Sequence, residues 1–469
     1  MKAIIMAGGE GTRLRPVNSG IPKPMVSMLE RPLLKHIVRL LKEYGITEIC
    51  TTLGYRPKDL IDYFGDGSRF GVNITHHVEK VALGTAGGVR ACKDFVGNED
   101  FLVISGDAAC DFDLCELIYY HNYHKPAVTM ALFSHLESLQ YGLVLTDKEG
   151  NVRTFIEKPT WERVVTDNVN TGIYILSGRV MDYIPNGEFY DFAKDLFPYL
   201  MRRGETIRAV ALDGYWCDIG NPSAYLRCVT DALDGKLQIM PGVPQARPGV
   251  WSGSPIPLGV KIVPPCVIGE NVVMEAGCVI GPRAVVGKGS KIGTGAKIQS
   301  SVVDGAVVGA DADVSGAIIC RGANLPEDMI LEPGDVLAAH GAQYPPDPKM
   351  VGISTSGPGY PNSANSESSR QTNVSMGERS PIRVPMPYSK ELDCAARARV
   401  MRVLSESLVE FGADFTDGLN ITTELGKVRI SPSPNREAIV VETDAGVFSK
   451  GLCAEYENLV RAYVEDEDY

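Results

Sequence analysis

From residue 268 the chain reads IGENVVMEAGCVIGPRAVVGKGSKIGTGAKIQ, with an aliphatic side chain returning every six positions at Ile268, Met274, Ile280, Val286, Ile292 and Ile298. A six-residue period matches neither the helical repeat nor strand alternation over any length. It fits a solenoid in which short strands are separated by triangular corners and each repeat sends one aliphatic side chain inward. The register slips once and is expected to resume through Val302, Val308 and Val314. Residues 251–340 are therefore read as one quasi-linear unit.

Ahead of the repeats, residues 1–235 alternate between strand and helix patterns. KAIIMA reads as a strand, RPLLKHIVRLLKEYG as a helix stopped by glycine, ITEICTTLGY as a strand and KDLIDYFGDG as a short helix. VNITHHVE, the helical stretch GTAGGVRACKDFVG and the apolar run DFLVISGD follow. Repeated units of this length predict an α/β domain with a mostly parallel sheet covered on both faces. Ligands in such folds sit beyond the carboxyl ends of the strands, where MAGGEG and SGDAACD fall.

Charge and cysteine usage narrow the partners. The formal net charge is -12, and the basic residues are interspersed with acids. Nucleic acid is not expected as a partner, and small molecules bound locally are. The first apolar run breaks at Gly8, too early for a signal peptide or a membrane span, so a cytoplasmic location without a membrane partner is expected. Eleven cysteines carry no CxxC pair and no ligand-spaced histidines, which reads as buried small hydrophobes.

Gly8, Gly9 and Gly11 follow the first strand, and Arg13, Arg15 and Lys23 place positive charge beside them. Glycine clears side chains where the backbone must approach something closely, and the cations suggest a phosphate. The spacing is neither GxGxxG nor a loop ending in GK[ST], and taken alone it also fits a tight turn with no ligand. Lys23 stands between two prolines, which stiffen the backbone around its stem.

GGEGTRLRP with PKPM, then LGTAGG, SGD, YG, FIEKP, NTGIYIL and YWCDIGNP occur in an order similar to that of sugar-1-phosphate nucleotidylyltransferases. Within that family the first 230 residues most resemble mannose-1-phosphate guanylyltransferases. The resemblance implies a Rossmann-like mixed-sheet nucleotidyltransferase domain followed by a left-handed parallel β-helix. It also implies attack of a sugar phosphate oxygen on the α phosphorus of a nucleoside triphosphate, with pyrophosphate leaving. GTP and mannose-1-phosphate are the substrates it suggests. Glucose-1-phosphate with UTP, ATP or CTP stays open, as does a catalytically weak paralogue that senses nucleotide sugars.

By the same resemblance, Gly8, Gly9 and Gly11 admit the nucleotide and Thr12 and Arg13 meet its phosphates, while Lys23 reaches toward the α phosphate. Leu83, Gly84, Thr85 and Ala86 form the base-binding turn. Asp107 and Asp218 converge on one Mg2+ ion, with Asp111 and Asp113 read as turn or helix-start residues. Tyr141, Gly142, Glu157, Lys158, Asn170, Thr171 and Gly172 form the sugar side, Lys158 holding the sugar's phosphate; in isolation EKP also fits a charged hairpin tip. Acyltransferases use the same solenoid with a histidine base, but no histidine occurs between Trp251 and Ala339. The coil is therefore expected to be a scaffold for a homo-oligomer, with His340 beyond it.

Residues 345–386 are rich in Pro, Gly, Ser and Asn and read as a flexible linker. Residues 387–469 then read as a small α+β domain in the order helix, three strands, helix. It resembles the C-terminal domain of phosphoglucomutases and phosphomannomutases, but RISPSPNREA stands where that family's phosphate loop has arginine, serine, glycine and threonine. Mutase activity is not expected.

Overall fold

A computed structural model describes residues 1–135, 138–160, 163–339, 388–409, 413–415, 418–444 and 449–464. The expected linker 345–386 and His340 lie outside the described residues.

Strand β1 (Lys2–Met6) is central because both of its faces are apolar. Ala3 and Ile5 face one core, shared with helices α1 (Leu33–Glu43) and α3 (Leu114–His124); Ile4 faces another, shared with Ala86 and Val89 of α2 (Gly84–Arg90). β1 pairs in parallel with β2 (Glu48–Leu53) and β4 (Phe101–Ser105), and β3 (Asn73–Val78) pairs with β2. Beyond β4 the direction reverses. β9 (Asn168–Leu176) runs antiparallel to β4, to β6 (Val128–Ser134) and to β7 (Gly142–Thr146). β8 (Val152–Glu157) pairs with β7, and β10 (Ile207–Ala211) pairs in parallel with β6. The sheet has nine strands and is mixed, so the mostly parallel expectation holds only for its first half. A separate ribbon joins β5 (Ala108–Cys110) to β11 (Trp216–Asp218).

The six-residue repeats build the left-handed β-helix from parallel ladders of six, five and four strands, the first extended by an antiparallel strand at Gln245–Arg247. Ile268, Met274, Ile280, Val286, Ile292 and Ile298 stack in its core, as expected. The next inward residue is Val303, not Val302. Cys266 pairs with Ala284, eighteen positions on, but Val285 pairs with Val302, seventeen on. The corner after Gln299 is one residue short and turns through a left-handed Ser300, and the next is also one short, since Ile292 pairs with Val308; the slip read at one corner is shared between two. Val302 instead joins Val267, Val285 and Ile318 on the outside, against Ala224, Tyr225, Cys228 and Val229 of helix α4 (Pro222–Leu233). Each such buried aliphatic contributes about 2 kcal/mol, so the solenoid is firmly seated on the helix that follows β11.

The C-terminal domain is a four-stranded antiparallel sheet in the order β12 (Tyr388–Asp393), β15 (Ala438–Thr443), β14 (Gly426–Pro432), β13 (Leu419–Thr423). Helices α5 (Arg397–Leu408) and α6 (Ser449–Val464) complete its core. β12 is absent from the sequence-based order, because YSKELD is polar and of its described side chains only Leu392 is buried. Ten of the eleven cysteines are buried and all are free, as their spacing suggested.

A second contact ties the solenoid to the N-terminal domain. Leu29 and Glu30 are both left-handed, at φ 50° and 67°, and the Glu30 carboxylate accepts the Lys288 amide at 3.1 Å. A side chain on Gly269 would come within 2.4 Å of that carboxylate, so the corner needs glycine. Burial pushes the Glu30 carboxyl up to about 7 from an ordinary 4.5, against the pull of the Lys288 hydrogen bond. Because the fold holds the proton more tightly than the unfolded chain, stability present below pH 4.5 is lost as pH rises through 7. Glu30→Gln should abolish that loss, raising the melting temperature at pH 8 by about 2–4 °C and leaving pH 5 nearly unchanged. An equal effect at both pH values in calorimetry would exclude the buried-acid explanation.

Candidate active site

The glycine-rich loop lies close to its neighbours. Gly8 accepts a hydrogen bond from the Tyr55 amide at 3.1 Å, and a side chain on Gly54 would stand 2.7 Å from the Gly8 carbonyl. Gly11 is left-handed at φ 69°, and a Cβ there would meet Cβ of Lys23 at 2.8 Å. Glycine at this position therefore lets the loop cross over the lysine stem. The following turn, Thr12–Leu14, is anchored by fully buried Leu14 and leaves Thr12 and Arg13 exposed. The Arg13 guanidinium lies beside Gly220, next to Asp218. Arg15, grouped with the phosphate cations in the sequence, is instead paired with Glu10.

Lys23 opens a short turn that begins after Pro22, and its side chain is 6% exposed. Its ammonium donates to Asp107 Oδ2 and Asp218 Oδ1, each at 2.8 Å. Ser105, at the end of β4, donates to the other Asp107 oxygen at 2.5 Å. The ribbon explains the convergence: β11 pairs Asp218 with Ala108, one residue from Asp107. Burial works to raise the Asp107 carboxyl, but the Lys23 charge, the Lys23 hydrogen bond and the Ser105 hydrogen bond together hold it below its ordinary value. Burial likewise works to lower the Lys23 pKa, and the two carboxylates raise it overall. Asp111 and Asp113 are structural, as read from the sequence. Asp111 accepts the Tyr215 and Gln238 amides, and Asp113 caps α3 through the Cys115 amide.

A cavity of about 320 Å3 opens above this cluster, lined by Gly8, Gly9, Gly11, Lys23, Ser105 and Asp107 and also by Glu79, Gly84, Thr85 and Phe189. Gly84 is left-handed at φ 73°, where any side chain would strike the Tyr190 carbonyl at 2.6 Å. Ala86 is buried and gives its amide to Tyr190, so it frames the wall. Thr85 donates to Asp191 at 2.9 Å, tying the same segments together, and the Leu83 amide is held by Glu79 Oε2 at 3.2 Å. A more open concavity of about 590 Å3 on the C-terminal domain is lined by Asp393, Cys394, Ala395, Arg436 and Glu437. Its single arginine is offset by two acids, a poor match to phosphate.

The sugar-side residues gather on the antiparallel half of the sheet. Gly142 of β7 pairs with Glu157 of β8, and a side chain on Gly142 would come within 2.8 Å of Glu157 Oε2. The same Cβ would stand 4.0 Å from Asn170, so glycine, acid and amide share one surface. Glu157 therefore ends a paired strand, and the backbone leaves it through a left-handed Lys158 at φ 44°. Asn170 Oδ1 accepts the Gly172 amide at 3.1 Å and the Tyr174 hydroxyl at 2.8 Å. Thr171 is buried with its hydroxyl on the Ala131 carbonyl, and its own carbonyl accepts Trp216 Nε1 at 3.2 Å. Tyr141 packs edge-on against His135 and Trp216. Gly172 allows β9 to pass Ser105, where a Cβ would stand 3.1 Å from the serine's.

Glu79, Phe189 and Ser105 line the cavity without having been singled out from the sequence. Ser105 stood in the SGD motif beside the aspartate that drew attention. Glu79 follows the end of β3, four residues before LGTAGG, a signal that could have been read. Phe189 could not have been, since it lies over a hundred residues from the loop it faces.

The nucleotidyl transferase family matches residues 2–235, and the GMPPB C-terminal domain matches residues 262–342. A UTP--glucose-1-phosphate uridylyltransferase from Synechocystis is 34% identical, the alignment covering 66% of this chain and 82% of that protein. A probable mannose-1-phosphate guanylyltransferase 1 from Oryza sativa is 31% identical, over 68% and 86%. The solved structure of HddC from Yersinia pseudotuberculosis complexed with GMP-PN is 26% identical, covering 49% of this chain and 99% of that one at a TM-score of 0.44. Sequence similarity over more than four-fifths of these curated relatives, together with the motif order, decides the matter: the chain belongs to the sugar-1-phosphate nucleotidylyltransferases, which move a nucleotidyl group from a nucleoside triphosphate to a sugar-1-phosphate, and is related to mannose-1-phosphate guanylyltransferases.

Proposed function

We propose that this chain transfers GMP from GTP to mannose-1-phosphate, giving GDP-mannose and pyrophosphate. The observation that carries the choice of base is Glu79, a carboxylate that lines the cavity together with Gly84 and Thr85. An ionised carboxylate only accepts hydrogen bonds. Guanine offers two adjacent donors, N1–H and the N2 amino group, where uracil offers one. Several mannose-1-phosphate guanylyltransferases among the relatives agree with this reading. A second reading, UTP with glucose-1-phosphate, is favoured by the 34% identical uridylyltransferase.

In the proposed mechanism Gly8, Gly9 and Gly11 admit the triphosphate and Arg13 meets the departing pyrophosphate through its planar fork. Lys23, already aimed by two prolines, stabilises charge building at the α phosphate, and such transfers depend on positioning and charge more than on covalent help. Two carboxylate oxygens from separate strands meeting on one cation suit Mg2+, which takes one or two carboxylates together with phosphate oxygens. When bound by Asp107 and Asp218 it would neutralise phosphate charge. Gly142, Glu157 and Asn170 receive the sugar hydroxyls, with Lys158 toward its phosphate.

Pyrophosphate release, measured with five nucleotides against mannose-1-phosphate and glucose-1-phosphate, should show GTP with mannose-1-phosphate at least about tenfold above any other pair, a margin of about 1.4 kcal/mol. Dominance of UTP with glucose-1-phosphate would establish the second reading, and silence from folded protein would point to a sensing paralogue. Glu79→Gln should lower kcat/KM for GTP about tenfold and shrink the GTP-to-UTP ratio; an unchanged ratio refutes base reading by Glu79. Asp107→Asn should cut turnover about 100-fold or more at saturating Mg2+ while the protein stays folded. Unchanged initial rates would remove Asp107 from the site.

A further inference from the structure

Asp167 immediately precedes β9, and its side chain is completely buried. One carboxylate oxygen accepts the Ser134 hydroxyl of β6 at 2.5 Å, and the Asp167 carbonyl accepts the His135 amide at 3.0 Å. The other oxygen accepts Nε of Arg402 at 2.5 Å, from helix α5 of the C-terminal domain, and Arg399 of the same helix stands 3.9 Å away. Ala398 of the same helix is buried in the same core as Leu143, Val165 and Val169. The arginines come from a region beyond both family matches, which end at residue 342.

A buried carboxylate without a cation is costly by several kcal/mol, and removing one partner of such a pair leaves that cost uncompensated. Asp167 directly precedes the strand that carries Asn170, Thr171 and Gly172, and Asn168 and Asn170 pair with β6 just beyond it. Where β9 enters the sheet is thus decided by a charge that the C-terminal domain neutralises. We infer that the C-terminal domain is a positioning element for the sugar-1-phosphate half of the active site, and that Arg402, supported by Arg399, is a positioning residue acting through Asp167 on β9. This rests on the proposed placement of the sugar at Gly142, Glu157 and Asn170. It assigns the mutase-like remnant a role in substrate affinity without any chemistry of its own.

The test uses the full chain and the substrate pair selected by pyrophosphate release. Arg402→Ala should raise KM for the sugar-1-phosphate at least tenfold, keep KM for the nucleotide within twofold, and speed amide hydrogen exchange at residues 168–172 with β1 unaffected. Arg402→Lys should recover most of the affinity. Asp167→Asn placed in the Arg402→Ala background should also recover it, since the amide keeps the Ser134 contact and discards the buried charge; loss of packing alone would not be repaired this way. A sugar KM within twofold of the parent, or both KM values rising together, overturns the inference. Glu157→Ala separates it from the reading beneath. An unmoved sugar KM in that variant overturns the sugar placement and this inference with it, whereas a raised KM there beside an unmoved one in Arg402→Ala overturns the positioning role alone.

Discussion

The Lys23 ammonium is the point to which the catalytic half of the molecule is organised. It joins two carboxylates more than a hundred residues apart in the chain, and hydrogen bonds in such a network strengthen one another. Each surrounding feature serves that meeting. Glycine at position 11 clears the lysine stem, the flanking prolines stiffen its backbone, and the β5–β11 ribbon sets Asp218 beside Asp107. The helix after the ribbon is packed on the outward aliphatic row of the solenoid. The β-helix therefore supports the strand that delivers one of the two acids, in addition to any role in assembly.

The nine-stranded sheet divides the labour by strand direction. Its parallel half ends in the glycine loop, Glu79 and Asp107, beyond the carboxyl ends of β1, β3 and β4, as expected for a crossover fold. Its antiparallel half brings Gly142, Glu157 and Asn170 onto one surface through strand register. Each half is braced from outside by a different appended unit. The solenoid packs behind β11, and the C-terminal helix α5 meets the start of β9 through the Arg402–Asp167 pair.

Much of the architecture was legible in the chain because it rests on local patterning. The helix over Leu33–Glu43, the apolar strands around it and the inward stack from Ile268 to Ile298 were all readable from spacing. The misreadings have local causes of another kind. Two successive solenoid corners, each shortened by one residue, share the slip that was read as falling at one, which makes Val303 the inward residue and not Val302, and a mostly polar segment concealed β12. Arg15 and Arg13 look alike in GTRLRP, yet Glu10 occupies the first and leaves the second facing the site.

The sequence by itself determined the alternating α/β domain, the solenoid and the family to which the chain belongs, since periodicity and motif order survive without coordinates. Tertiary structure alone decided that Lys23 bonds both aspartates, that Glu79 and Phe189 share a cavity with the glycine loop, and that a C-terminal arginine pairs with a buried acid at the start of β9. The difference has one physical reason. Local patterns report which face of a strand or helix is buried, but charges separated by 84, 195 and 235 residues meet only when the whole chain has closed its loops.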